Sequence, residues 1–403
     1  MTGTAVRRTS EPVPLTGGPY VYRQLAELAA RAPVVRVLLH GSVPAWLLTR
    51  PDNIVAAARD PRITSDGSVL GRTGPSVKFG FMAMDGPEHT RLRKMVADEF
   101  TPRRIAGLEP YVVRVVDELI AAIAPSGSAD LVADLALPLP LRVICELLGV
   151  PLDERERFEA AADDMLRPAA GDPARSAAAR GELFDYLEDL ADGKRARPGN
   201  DLLSVLANSV HADRREVVEI GALLLVAGYE TTANLIGTSI LALFTDPKQL
   251  LLLRDQPERL PDAVDELVRH TGPVALGVTR YTREPVTIAS TSIPAGERII
   301  LGLGAANHDP GRYGCPHHLD FSRPATGHFG FGHGPHYCLG APLARLETQI
   351  ALRAVLGSLD ELALADAPTW QNSIFHGLER LPVTFRPHPP STREGKGKRR
   401  SGD

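Results

Sequence analysis

Apolar positions recur at intervals of three and four along most of this chain, the period of helices that bury one face. The pattern is plain from Val21 to Ala32 and again in successive blocks from about Glu88 to Leu206, where Pro102, Pro110, Pro138, Pro140, Pro151 and Pro198 punctuate the run. Val34 to Leu48 instead carries β-branched residues around Gly41-Ser42 and predicts a small hairpin. The longest helical stretch runs from Asp213 to Asp246. It is apolar on nearly every face up to Ala227, then abruptly polar at Glu230, Thr231, Thr232 and Asn234, as expected of a helix that crosses a protein interior. Pro257 to His270 and Leu339 to Leu356 read as further helices, and Val274 to Ile300 as short strands with a turn at Pro294-Ala295-Gly296. The expected class is mainly α with a minor β part.

Composition narrows the picture. Of 403 residues, 43% are hydrophobic and 23% charged, an ordinary globular balance that excludes a disordered chain, a collagen or a coiled-coil fibre. No linker interrupts the middle, so one large domain over 1–387 is expected, followed by a basic, breaker-rich tail, 388–403, that reads as disordered and solvating. Lys plus Arg number 45 against 49 Asp plus Glu, and the arginines are scattered among acids, which argues against a nucleic-acid partner. The apolar run Gly221 to Gly228 falls short of the roughly 20 residues that cross a bilayer, so no membrane anchor is expected. Three cysteines are too few for a disulfide framework and no secretory signal opens the chain, which together imply a cytoplasmic protein.

Six of the twelve histidines and two of the three cysteines lie between His308 and Cys338, a density that raises the question of a bound metal. Cys315, His317, His333, His336 and Cys338 offer ligands, but their spacing lacks the short pairs of structural zinc. The run Phe331-Gly332-His333-Gly334-Pro335-His336-Tyr337-Cys338-Leu339-Gly340 is more informative. Small residues there admit a flat, bulky ligand close to the backbone. A cysteine at the N-terminus of an apolar helix also meets unsatisfied N–H groups, which favour thiolate over thiol. Those are the conditions for an anionic sulfur ligand to haem iron; the alternative is a buried structural cysteine beside a glycine-rich turn.

The segment FGHGPHYCLGAPLAR resembles the haem-binding loop of the cytochrome P450 superfamily, Phe-x-x-Gly-x-x-x-Cys-x-Gly. Three more segments match in the family's order. MDGPEHTRLRKMVADEFTPRRI resembles its second haem-contacting helix, AGYETTAN its long oxygen-binding helix, and Glu266-Leu267-Val268-Arg269 its Glu-x-x-Arg helix. The resemblance implies the cytochrome P450 fold and a haem b cofactor (iron protoporphyrin IX) whose iron is bound by Cys338. It places Ala227, Thr231, Phe331, Gly332 and Gly340 against the haem, and His89, Arg93, Arg280 and His336 at its propionates. On their own, His89 and Arg93 would be a solvated helix face, and Glu266 with Arg269 a routine i,i+3 surface pair. By resemblance that pair joins Arg323 in a buried structural network. Glu230 and Thr231 are implied as the catalytic pair that delivers protons with water; the competing reading is that the Thr231 hydroxyl merely bonds the Ala227 carbonyl. The chain departs from the family at His308, where relatives commonly read arginine in Ala-Asn-Arg-Asp-Pro, and at Cys315, where an acid is frequent.

The function implied is a haem-thiolate monooxygenase that hydroxylates an apolar or polycyclic small molecule in secondary-metabolite biosynthesis. Electrons would come from NAD(P)H through a ferredoxin and its reductase, since the chain holds no flavin or iron-sulfur segment, and a monomer is expected. The implied substrate walls are Phe81, Met82, Leu224, Ala227, Val274, Val278, Ile374 and Phe375, with the loop from Ser76 and the region Met165 to Ala170 nearby. Two other readings compete. A peroxide-driven haem enzyme would tend to lack the acid and alcohol pair, and a non-catalytic haem or zinc protein would have no use for a proton relay.

Overall fold

The computed structural model describes residues 11–39, 42–71, 80–166 and 173–387. Gly41 of the hairpin turn, residues 76–79 and 167–170 near the expected substrate walls, and the tail 388–403 lie outside the described residues. Helices dominate. In chain order they are α1 (Val21–Arg31), α2 (Pro51–Ala57), α3 (Gly86–Ala97), α4 (Pro102–Ile123), α5 (Pro138–Leu148), α6 (Arg155–Leu166), α7 (Pro173–Ala196), α8 (Leu202–Ala207), α9 (Arg214–Thr245), α10 (Pro247–Asp255), α11 (Leu260–Thr271), α12 (Leu303–Asn307) and α13 (Ala341–Ser358).

Most helix boundaries follow from capping chemistry. A capping box opens α9: the Asp213 carboxylate accepts the Glu216 N–H at 2.8 Å, and the Glu216 side chain accepts the Asp213 N–H at 3.0 Å. Proline sits in the first turn of α2, α3, α4, α5, α10, α11 and α13, where its missing N–H costs nothing. Gly149, at φ 72°, stops α5 in the left-handed region. One expectation fails: Pro110 does not break the helical run but lies inside α4. Its position is exposed, so water meets the carbonyl it leaves unpaired, while Val112, Val115, Val116, Leu119 and Ile120 bury the opposite face.

α9 is the axis of the helical core, packed by α5, α7, α11 and α13. Among the described residues it is the one helix long and apolar enough to cross a membrane, yet 72% of its apolar window is buried inside the protein. The expectation of an interior helix holds, and the apolar length serves packing. A six-stranded sheet stands to one side, in the order 13–15, 34–39, 43–48, 298–301, 279–282, 63–64. Its hairpin pairs Val34 with Leu48 and Leu39 with Val43. Alternation along Val43–Leu48 sends Trp46 and Leu48 to one apolar cluster and Ala45 and Leu47 to another, so both faces are covered.

α13 carries an anomaly. Glu347 is 3% exposed and its Oε2 has no hydrogen-bond partner among the described residues, so burial pushes its carboxyl from 4.5 up to about 8. Between those values the unfolded chain loses a proton that the native chain keeps, and stability falls as pH rises through the window. Glu347→Gln removes this linkage. In denaturant titrations the variant should gain on the wild type by on the order of 2–4 kcal/mol between pH 5 and pH 8; a difference independent of pH would show that the carboxyl is ionised when folded.

Candidate active site

The loop before α13 is shaped by its own backbone. Gly332 and Gly334 adopt φ 78° and 77°, and a Cβ on Gly334 would lie 3.1 Å from the Ala58 carbonyl oxygen. The N–H of Gly332 donates to Phe329 O and that of Cys338 to Phe331 O, both at 2.8 Å, closing a tight arch that ends at the cysteine. Cys338 lies just ahead of the helix start, with Gly340 as N-cap. Burial raises its thiol pKa, opposed by the N–H groups of Gly340 and Ala341 and by the guanidinium groups of Arg93 and Arg345. Its side chain is nonetheless accessible to solvent. A group deep among protein atoms yet accessible occupies the floor of a recess.

α11 holds this loop with two consecutive carboxylates. Glu266 and Arg269 are both fully buried and doubly bonded, Nε to Oε2 at 2.6 Å and Nη2 to Oε1 at 2.8 Å. Arg269 also donates to the carbonyls of Asn307 and Pro316, each at 2.8 Å, and Arg323 reaches Glu266 Oε1 at 3.3 Å. Asp265 points the other way, accepting Arg345 Nε at 2.6 Å with His328 Nε2 at 3.3 Å, and Arg345 lies over the Phe331 ring at 4.5 Å. Reading by sequence alone missed Asp265, Arg345 and Asn307, whose Oδ1 accepts the Phe329 N–H at 2.6 Å. The buried meeting of Glu266, Arg269 and Arg323 is the network that the family resemblance implied.

The four basic residues expected at propionates converge. Their elements are α3 for His89 and Arg93, the strand Thr279–Thr282 for Arg280, and the cysteine loop for His336. The rings of His89 and His336 lie 4.2 Å apart, and Arg93 Nη2 donates to the Tyr337 carbonyl at 2.5 Å. Arg280 is 6% exposed, its guanidinium making one hydrogen bond among the described residues, from Nη1 to Thr279 O. Burial, followed by the charges of His336 and Arg93, lowers His89 to about 4. Asp85, also missed from sequence although it opens the segment that marked α3, lies 3.0 Å from His336 Nε2 and accepts the Ser65 N–H at 2.7 Å. Its burial is outweighed by His336, Thr64 and Ser65, which hold the carboxyl well below its usual range.

On α9, Ala227 is exposed between the buried Leu225 and Tyr229, and Glu230 and Thr231 are half-buried. The Thr231 hydroxyl donates to Ala227 O at 2.5 Å. Of the expected substrate walls, Leu224 and Phe81 are buried, the latter packing edge-on against His89, whereas Met82, Val278 and Ile374 are exposed and Val274 and Phe375 half-buried. Cys315, His317, His333, His336 and Cys338 do not gather into a zinc site: among the described residues no three His, Cys, Asp or Glu side chains are placed to hold a metal ion.

Residues 257–366, which contain both α11 and the cysteine loop, match the family model described as Cytochrome P450. The chain is 41% identical over 380 residues to cytochrome P450 monooxygenase PikC of Streptomyces venezuelae, covering 91% of each chain. This chain is a cytochrome P450. The P450 is also 38% identical over 393 residues to the 6-deoxyerythronolide B hydroxylase of Saccharopolyspora erythraea, covering 90% and 95% of the two chains. Against the solved structure of the P450 monooxygenase TamI the TM-score is 0.85 at 38% identity, covering 93% and 94%.

The residues present fit the haem that the family carries. Among the described residues, His89 Nε2 is buried with no partner and Arg280 is a buried cation with most of its donors unused, and both are what a desolvated carboxylate requires. Arg93→Ala and Arg280→Ala should each speed haem transfer to apomyoglobin by about tenfold or more, the cost of removing one charged partner, whereas the exposed Lys248→Ala should not. Equal transfer from all three variants would remove these positions from the propionate site.

Proposed function

We propose that this P450 inserts one atom of O2 into an apolar, polycyclic or macrocyclic small molecule, as a hydroxylation step in secondary-metabolite biosynthesis. The observation that carries the reading is an acid and an alcohol, Glu230 and Thr231, set into the middle of an interior helix beside an exposed alanine. Bound haem b, held through Cys338 and the His89, Arg93, Arg280 and His336 cluster, supplies the iron at which dioxygen is activated and its oxygen handed to substrate. The chain's own residues do the rest.

Cys338 would bind as thiolate: burial holds its thiol pKa up, the N–H groups at the start of α13 and two guanidinium groups oppose that, and a bound iron would favour the anion. Thr231 donates its proton to Ala227 O, which leaves its oxygen lone pairs as acceptors that orient a water molecule in the recess. Back-bonding and proton delivery are therefore compatible roles. Glu230, half-buried, exchanges protons with solvent and passes them to that water. Ala227, Phe331, Gly332 and Gly340 are small or flat and let the haem faces come close. Leu224, Ala227, Val274, Val278, Phe81, Met82, Ile374 and Phe375 supply an apolar wall. The two relatives, one named a monooxygenase and one a hydroxylase, support the reaction class.

Electrons come from NAD(P)H through a ferredoxin and its reductase, and the protein works as a cytoplasmic monomer. A peroxide-driven enzyme is disfavoured by the intact acid and alcohol pair. Thr231→Ala should keep oxygen consumption while raising the hydrogen peroxide yield several-fold and lowering product per NAD(P)H; Glu230→Gln should slow oxygen consumption itself by about 10-fold to 100-fold. A paired count of peroxide, product and NAD(P)H decides. Wild-type coupling in Thr231→Ala would leave its hydroxyl with the Ala227 bond as its whole role.

A further inference from the structure

Away from the haem loop, the rings of Trp370, His376, Tyr22, His308 and His317 form a continuous file. Successive centroids lie 4.7, 5.0, 4.8 and 4.9 Å apart, the last pair stacked at 22°. His270 flanks the file, 5.8 Å from His308. The members come from α1, the end of α11, the segment after α12, the loop ahead of the cysteine arch and the turn before the strand Leu378–Arg380, so the file ties together parts far apart in sequence.

Each polar edge has a neutral partner or none. His376 Nδ1 lies 3.1 Å from Gly18 O, His308 Nδ1 3.0 Å from Gly304 O, and the Tyr22 hydroxyl donates to Gly272 O at 2.6 Å. His270 Nδ1 is buried without a partner among the described residues. The groups acting on these imidazoles are guanidinium groups and other imidazoles, all of which disfavour protonation: Arg269, His317, His376 and Arg323 on His270, His270, Arg269 and His317 on His308, Arg269 and His318 on His317. Nearby carboxylates are already engaged, Glu266 by Arg269 and Arg323 and Asp309 by Arg50. Burial first and then Arg269 hold His270 at about 4; burial, then His270 and Arg269, hold His308 well below its ordinary value; burial, opposed by the Gly18 carbonyl, takes His376 to about 4.

The file ends on the turn that carries Ile374 and Phe375. There the His376 N–H donates to Pro273 O at 2.8 Å and the Gln371 N–H to Gly377 O at 3.1 Å. The Ser373 carbonyl presses on Gly17, where an added Cβ would lie 2.0 Å from it. The turn is thus clamped between the lead into α1 and the end of α11. We propose that the ring file is an acid-sensitive latch that holds the 371–377 turn closed, and that charging its imidazoles frees the turn from α1 while the helical core stands. Its effect on substrate rests on the reading of Ile374 and Phe375 as cleft walls; the latch itself does not.

The sign follows from proton uptake. An opened turn lets His376 and His308 bind protons that the closed turn excludes, so closure is favoured above about pH 6.5 and weakens as pH falls toward 4. The test uses haem-loaded Trp46→Phe protein, which leaves Trp370 as the one tryptophan of the two in the sequence. Trp370 emission and hydrogen exchange at 371–377 are followed from pH 7.5 to 4, with the Soret band and helical circular dichroism recorded alongside. The turn should open with a midpoint near pH 5 while Soret band and helix signal persist. His308→Gln with His376→Gln should move that midpoint down by about one pH unit or abolish it, whereas exposed His211→Gln should not. Should the double variant fail to fold, His317→Gln at the exposed end should give a smaller shift in the same direction. Opening that coincides with Soret loss, or a midpoint indifferent to the file's histidines, overturns the latch.

Discussion

Arg269 is fully buried, and a guanidinium there is tolerable only when its charge and its donors all find partners. Glu266 neutralises the charge through two bonds, and backbone carbonyls from three places, Asn307, Pro316 and His318, take up other donors. Such a pair adds little net stability compared with apolar residues of the same shape. Its effect is on uniqueness: any register in which Asn307 or Pro316 moved away would strand a buried cation. The segment that approaches the cysteine is therefore pinned to α11, and Asp265 on the same helix fixes the other side of the loop through Arg345 and His328.

That pinning allows the cysteine loop to be built from residues that cannot hold themselves. Gly332 and Gly334 stand in the left-handed region and are entropically costly to order. The Cys338 environment is itself a balance, with burial on one side and helix N–H groups and two guanidinium groups on the other. Across the site, the basic side chains of His89, Arg93, Arg280 and His336 gather with Asp85 as the nearby acid. Burial first, and then the charges of His336 and Arg93, lower the His89 pKa, and its Nε2 is buried with no partner among the described residues, a costly arrangement in isolation and a fitting one for a ligand with two carboxylates.

The same tension runs along α9. Its apolar length would serve equally well in a bilayer, and only its neighbours make it a core helix. Polar groups in such an element are expensive, and Thr231 and Thr238 lower that cost by donating to carbonyls one turn back. Places where local rules are broken are the natural candidates for function, and the proposed site draws on them: Glu230 and Thr231 on α9, the left-handed glycines before α13, and the His89 edge.

Much of the architecture was legible in the order of residues. The 3.6-residue period located α1, α9, α11 and α13 to within three residues, because a helix with a buried face must repeat its apolar positions at that interval. The spacing of Phe331, Gly334, Cys338 and Gly340 marked the cysteine loop, since local backbone chemistry is written in adjacent residues. Pro110 misled, because sequence carries the proline's missing N–H but not whether its carbonyl partner faces water. The ring file, the Asp265–Arg345–Phe331 brace and the Asp85–His336 contact were invisible for a related reason. Tyr22 meets His376 across more than three hundred residues, and nothing in either neighbourhood names the other. Only packing decides which distant polar groups must share one buried space, and so which titrate, which pair and which remain unpartnered for a ligand.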